Sequence, residues 1–474
     1  MLAALLSTFA AALSPHLDRH AAPPAQAATA ATQAEDGWTN LFNGRDLAGW
    51  VNVNTAPSTW TIGKDELGQP IIVCSGRPTG VLRTDRMYEN FVLELEYSHR
   101  VKGGNAGLFV WSDAITAQGQ PFTRSIEVQV MDSVEAKEMI NGREETIYTS
   151  DGDIFSIHGA RMTPDRPHPA GWERCLPSER RAKVAPAWNH YRVVCDHGTI
   201  KLEVNGKEVS GGFDIRPRKG YICLEAEGSE IWFRNIRIKE LPAASPPLAP
   251  DLVATADEGF RSLFTGVDLS GWKVEGDAAR HWTVQDWILR YDGKGSDLWS
   301  EESFGDFEAI IDWRWRGDHQ GTVRRPKFGP DGNDLKDADG VVQTVEIGER
   351  DSGIFLRGSS KSQVNMWCWP VGSGEVWGYR TDASMPPEVR AACTPRKAAD
   401  RPVGEWNRFR IRMRGEILDV WLNGEHVIVG ARLPGVPARG PIGLQHHGSA
   451  VDFANIYVRE LPPEAPADAS PKTP

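Results

Sequence analysis

WTNLFNGRDLAGW, from Trp38 to Trp50, and FRSLFTGVDLSGW, from Phe260 to Trp272, are one phrase written twice, with the same register running on to Trp60 and Trp282. The two halves also close alike. Trp188-Asn189 precedes YRVVCDHGTIKLEVNGKEV and GYICLEAEGSEIWFRNIRIKEL, and Trp406-Asn407 precedes FRIRMRGEILDVWLNGEHV and GPIGLQHHGSAVDFANIYVREL. Matching order and spacing imply one duplication, hence two homologous domains, and 474 residues suit two cores of roughly 200 residues each better than one.

Within each half, short runs alternate apolar and polar residues: Phe91 to Tyr97, Tyr191 to Cys195, Ile200 to Val204 and Ile231 to Ile238, with counterparts in the second half. A period of two signals strands. Asn205-Gly206 and Asn423-Gly424 separate β-rich runs, the residue pair that tight hairpins favour. Helical periodicity is absent apart from a turn near Pro386 to Ala392. The expectation is an all-β fold, two antiparallel β-sandwich or jelly-roll domains over 37–242 and 258–462, joined by a Pro/Ala-rich linker over 243–257. The tail 463–474 reads as disordered.

Residues 1–36 form a leader. Met1 to Leu13 is nearly all Ala and Leu, and Ala25-Gln26-Ala27 has the small-x-small form that signal peptidase accepts, so export to the periplasm or the cell exterior is expected. The net charge of -11, with no clustered basic surface, argues against nucleic acid, and no stretch is long and apolar enough for a membrane span. Of six cysteines, Cys195 and Cys223 read as buried thiols, while Cys368 and Cys393 are the better candidates for a disulfide.

LFNGRDLAGW, NAGLFVW followed by IEVQVMD, the Trp-Asn before LEVNGKEV, and FRNIRIKEL together resemble the 3-keto-disaccharide hydrolase family, across essentially both halves. The second half, with SGIFLRGSSKSQVNMWCWPVGSGEVWGYRTD and GPIGLQHHG, is similar to a branch of it. The resemblance implies concanavalin-like folds. It also implies cleavage of 3-keto-glycosides by C2 deprotonation, elimination of the glycosidic oxygen and hydration. A C3 ketone acidifies the C2 proton, so such a site needs a base, an electrophilic stabiliser and an acid rather than the paired carboxylates of ordinary glycosidases.

Alternation selects the candidates. Glu127, Gln129 and Met131 share one face of a strand, and Gln363, Asn365 and Trp367 share the matching face in the second half, where amides and aromatics could meet a sugar in a hydrated hollow. Glu225 and Glu227 share a face near the end of the first half. Side-by-side carboxylates repel unless a cation intervenes, which makes them candidate ligands of one divalent metal ion, or sugar-binding groups. Gln445 and His447 take their places in the second half, with His446 turned to the other face.

His158, in a Gly-flanked loop, is a candidate base, and Asp132, at the strand end, a candidate catalytic carboxylate or a turn cap. Arg357 is a candidate clamp for a ketone or enediolate oxygen; Trp111 occupies its place in the first half. DGNDLKDADG, 331–340, lacks the spacing of a calcium loop. Trp50, Trp272, Trp282 and Trp406 read mostly as core. No zinc-protease, nucleophile-elbow, phosphate-loop or dinucleotide motif is present. The rival to an enzyme is a non-catalytic, lectin-like carbohydrate binder; an ordinary glycosidase using Glu127 with Asp132 ranks last, because residues five apart on a strand face opposite ways.

Overall fold

The computed structural model describes residues 36–462 apart from 133, 150, 320 and 330. The expected leader, except Asp36, and the tail lie outside the described residues. Strand accounts for 49% and helix for 4%, so the all-β class expected from alternation is the class observed.

The strands that matter below are numbered in chain order. In the first domain they are β1 (Trp50–Val53), β2 (Gly80–Thr84), β3 (Phe91–His99), β4 (Asn105–Ser112) and β5 (Ser125–Met131). They continue with β6 (Ile154–Ile157), β7 (Arg174–Cys175), β8 (Asn189–Asp196), β9 (Tyr221–Ala226) and β10 (Ile231–Glu240). A front sheet runs β7-β6-β5-β4-β9-β2-β1, and a back sheet is built around β8-β3-β10, antiparallel throughout. Between them lie Leu108 and Val110 of β4, Ile126, Val128 and Val130 of β5, and Leu93, Leu95 and Tyr97 of β3, all buried in one cluster. Burying each such side chain contributes about 1.5–3 kcal/mol, which pins the register: a slip by one residue would drive Glu127 and Gln129 into the core.

The second domain repeats the plan with β11 (Trp272–Lys273), β12 (Leu298–Phe304), β13 (Phe307–Trp315), β14 (Asp351–Leu356), β15 (Ser359–Trp367), β16 (Asn407–Arg414), β17 (Gly440–Leu444) and β18 (Val451–Glu460). Its front sheet runs β11-β12-β17-β14-β15, matching β1-β2-β9-β4-β5, and its back sheet is built around β18-β13-β16. Among the described residues it has no counterpart of β6 and β7. Both Asn-Gly turns have positive φ at both residues, 48° and 82° at Asn205-Gly206 and 53° and 86° at Asn423-Gly424, as a two-residue hairpin turn of that hand requires. A short helix, Pro387–Ala392, fills the helical turn read near Pro386.

One expectation changes. All six cysteines are free, so the expected Cys368–Cys393 disulfide does not form, although Cys368 packs against the core cluster that contains Cys393. The linker is sewn to the first domain: Ala114 donates to Thr255 O at 3.0 Å, Ala254 to Lys219 O at 2.7 Å, and Thr255 N to Asp113 at 2.7 Å. Trp50, Trp272 and Trp282 are core residues, but Trp406 lies at the seam between domains. There Gln118 donates to Trp406 O at 2.7 Å and Gly119 N to Asp312 at 2.7 Å. Phe260, Ile310 and Tyr457 of the second domain pack with Val53, Val81, Phe109, Tyr221 and Cys223, covering one end of the first front sheet.

Candidate functional site

Strand pairing places the rows of the first front sheet. Gly107 on β4 sits beside Gln129 on β5, and Phe109 beside Glu127, while Glu225 on β9 follows the Leu224–Leu108 pair and so lies next to Gly107. Gly107 has no side chain to fill the space above it. A Cβ there would lie 2.6 Å from Glu225 Oε2 and 3.1 Å from Glu127 Oε1, so two carboxyls lean over one point of bare backbone. The hollow is polar, as expected, but enclosed rather than hydrated: Glu127 is 7%, Gln129 4% and Glu225 1% exposed.

Enclosure decides the charge state. Burial, then the neighbouring Glu227 charge, pushes the Glu127 carboxyl up to about 8, with the Arg174 guanidinium opposing. Burial, followed by Glu127 and Glu227, holds Glu225 well above the ordinary carboxyl range. No cation faces Glu225 among these causes, and among the described residues its Oε2 has no hydrogen-bond partner. Burial and mutual repulsion raise both carboxyls and disfavour their being ionised together.

A rail of polar side chains borders them. Asn105 donates its amide to Glu227 and accepts from Gln129 Nε2 at 2.8 Å. Arg174 on β7 donates to Gln129 Oε1 at 3.4 Å and to the buried Asp153 at 2.6 Å, and Thr149 fixes Asp153 from its backbone at 3.1 Å and its hydroxyl at 2.6 Å. Burial raises Glu227, against the Asn105 hydrogen bond, and Asp286 from the second domain raises it further. Asn105, Asp153, Arg174 and Asp286 were not foreseen. Arg174 lies on a two-residue strand far along the chain, where no periodicity marks it; Asn105 alternates with Gly107 and Phe109 on β4 and could have been read from that.

Several expected residues do other work. Asp132 is 2% exposed and accepts from Gly103 N at 3.0 Å and Ala185 N at 2.8 Å, so it ties loops together away from Glu127. His158 sits in an exposed turn, stacked on Phe122 at 6.4 Å. It lies three residues beyond Phe155, the register partner of Glu127, which is about 10 Å along the strand and out of reach. Arg357 is no clamp: its guanidinium is consumed by the carbonyls of Gly305, Gly415 and Pro437 and by Asp306. Trp111 plugs the same place in the first domain, donating to Glu89 O at 2.7 Å, and both residues have φ 52°. Among the described residues no group of three or more His, Cys, Asp or Glu side chains is arranged to hold a metal ion. Glu225 and Glu227, expected as ligands, are thus joined by no third such side chain in metal-holding geometry among the described residues.

The second domain keeps the geometry and changes the chemistry. Gln363 stands in the place of Glu127, beside Phe355, and Asn365 in that of Gln129, beside Gly353. Gln445 and His447 follow β17 where Glu225 and Glu227 belong. Gln363 Nε2 donates to Gln445 Oε1 at 2.7 Å, an amide pair where the first domain has two carboxyls. Exposed His447 approaches Asp351 at 3.7 Å, and burial lifts the Asp351 carboxyl to about 6. His446 faces away, hydrogen-bonded to Tyr291. Trp367, 3% exposed, stacks on Trp369 at 3.9 Å, with Arg325 over Trp369 at 4.6 Å. The 331–340 insertion closes on itself, Asn333 N and Val341 N donating to Asp331 and Asp337.

The model of the family described as 3-keto-alpha-glucoside-1,2-lyase-like domain matches residues 37–239 and 259–459. The chain belongs to this family. The 3-keto-alpha-glucoside-1,2-lyase-like domain thus occurs twice, once with the carboxyl pair and once with the amide pair. A 3-keto-disaccharide hydrolase of Bacteroides thetaiotaomicron is 23% identical over 234 residues, 44% of this chain and 79% of that protein. A structure from Parabacteroides distasonis, described as a glycosyl hydrolase, is 20% identical and covers 44% of this chain and 99% of its own at a TM-score of 0.34. The carbohydrate-binding module CBM66 from Bacillus subtilis is 14% identical, covering 40% and 96%, at a TM-score of 0.26.

Proposed function

We propose that the first domain cleaves 3-keto-glycosides and that the second binds carbohydrate without turning it over. The observation that carries this is the pair of buried carboxyls, Glu127 and Glu225, that lean over Gly107. The ionised carboxylate of Glu127 takes the proton from C2, and the electron pair moves onto the C3 ketone oxygen. That oxygen, now anionic, needs N–H donors; Arg174 and Asn105 border the hollow with donors to supply. The C1–O bond then breaks, and the leaving oxygen takes the proton held by Glu225. Water adds at C1 of the resulting enone and a proton returns to C2, so the net change is hydrolysis. Enclosure serves this chemistry, because it is burial that keeps one carboxyl protonated near neutral pH.

The second reading, a lectin-like site, applies to the second domain on a specific observation. Gln363 and Gln445 cannot exchange protons near neutral pH, yet they present donors and acceptors beside stacked indoles, which suits binding a hydroxylated ring. The test is to incubate the protein with a 3-keto-disaccharide in heavy water. Deuterium at C2 of the released keto-sugar, lost in Glu127→Gln and kept in Gln363→Ala, is expected. Absence of both cleavage and exchange overturns the catalytic reading, and exchange that follows Gln363 would assign it to the other domain.

A further inference from the structure

The outer face of the second front sheet carries an aromatic pair next to its amide pair. Trp299 on β12 pairs with Gly443 on β17, Gly443 with Phe355 on β14, and Phe355 with Gln363 on β15, so the four stand in one row across adjacent strands. Their neighbours one residue away, Leu298, Ile354, Val364 and Leu444, lie in the core, which turns this row outward. The next row on the same face, two residues or about 7 Å along, holds Gln445, Gly353 and Asn365. Gln363 leans across between the rows: a Cβ on Gly353 would lie 2.7 Å from its Cγ, and its Nε2 reaches Gln445 Oε1 at 2.7 Å. The aromatic pair and the amide pair are therefore immediate neighbours.

Gly443 makes the aromatic pair possible. A Cβ there would meet the six-membered ring of Trp299 at 2.7 to 3.0 Å, so the indole fills the space above bare backbone. Phe355, 3% exposed, stacks against that indole at 5.2 Å and 13°. Trp299 itself is only half-buried, and with one face taken by Phe355 it offers solvent its other face and its edge. An indole already held on two sides gives up little freedom when a ligand arrives. Polar side chains flank it. Exposed Lys273 on β11 is its register partner on the far side, and half-buried Gln445 lies on the near one. An aromatic face bordered by an amine and amides matches a pyranose, whose C–H face is apolar and whose edges carry hydroxyls.

The first domain closes the same place. Arg83 pairs with Cys223 where Trp299 pairs with Gly443; it is 4% exposed and gives its guanidinium to Ala114 O at 3.0 Å and Thr84 O at 2.7 Å. Phe260, Ile310 and Tyr457 of the second domain pack with Phe109 and Cys223 there. Tandem packing thus seals this part of the sheet in the first copy, while in the second a half-buried indole stands at it.

We infer that Trp299 is the stacking platform for a neutral pyranose ring in the second domain, with the Gln363–Gln445 amide pair taking hydroxyls at the ring edge. The inference deepens, and rests on, the carbohydrate-binding reading of that domain. The test titrates the full chain with cellobiose, whose glucose rings offer flat C–H faces, by calorimetry and by indole fluorescence. Trp299→Ala is expected to weaken binding about tenfold; Trp299→Phe is expected to keep most of the affinity but lose the ligand-induced change in fluorescence. A fluorescence change that persists in Trp299→Phe places the sugar on another indole and overturns the platform. Weakening by Gln363→Ala with full binding in Trp299→Ala also overturns it, and leaves the carbohydrate reading standing. Weakening by Trp299→Ala with full binding in Gln363→Ala keeps the platform and removes the amide pair. Binding that ignores both substitutions, or no binding of cellobiose at millimolar concentration, overturns both.

Discussion

Gly119 of the first domain gives its amide to Asp312 of the second, at 2.7 Å, while Asp312 also holds Arg408 through Nε at 2.6 Å and Nη2 at 2.9 Å. Asp312 is fully buried and Asn455 donates to it as well, at 2.7 Å. Removing that carboxylate leaves a buried guanidinium and a loop amide without their acceptor. Asp312→Ala is expected to cost about 3 kcal/mol and to split the denaturation curve into two transitions. A single transition with an unchanged midpoint would mean that the domains are not coupled through this residue.

Gly107→Ala tests the hollow. The backbone there accommodates alanine, so the effect comes from space: the new methyl would lie 2.6 Å from Glu225 Oε2. Activity on 3-keto-glycosides is expected to fall by about a hundredfold, with circular dichroism unchanged.

The carboxyl pair sets a pH profile. Glu127 must be ionised to act as a base, and its pKa is raised to about 8. Burial, followed by Glu127 and Glu227, raises Glu225 as well. The rate should rise from pH 6 toward pH 8, and this limb should vanish in Glu127→Gln along with about two to four orders of magnitude in kcat. A flat profile between pH 6 and 8 would remove Glu127 from the base role.

The same raised pKa fixes a stability slope. Between the ordinary value of 4.5 and about 8, the folded protein holds a proton on Glu127 that the unfolded chain has released. Stability from this group is therefore full below pH 4.5 and is lost as pH rises through about 8. Glu127→Gln, which carries the neutral form at every pH, should melt above the parent at pH 8.5 and converge with it near pH 5. Thermal denaturation at the two pH values checks it.

Much of this was legible in the chain. The duplicated WTNLFNGRDLAGW phrase and the two-residue period supplied the domain plan. Parity alone put Glu127 with Gln129, Glu225 with Glu227, and His446 opposite His447. Parity names a face; it does not say which strands are neighbours. That is why Asp132 and Arg357 were misjudged and Arg174 passed unnoticed.

The sequence by itself determined which side chains leave the core, because burying Ile126, Val128 and Val130 forces Glu127 and Gln129 to the other side. Only the tertiary structure decided what those side chains meet. Bringing β9 beside β4 set Glu225 against Glu127 over a bare glycine, and burying that face raised both carboxyls. Proximity across a sheet depends on strand order and on the second domain's position, neither of which a local pattern contains.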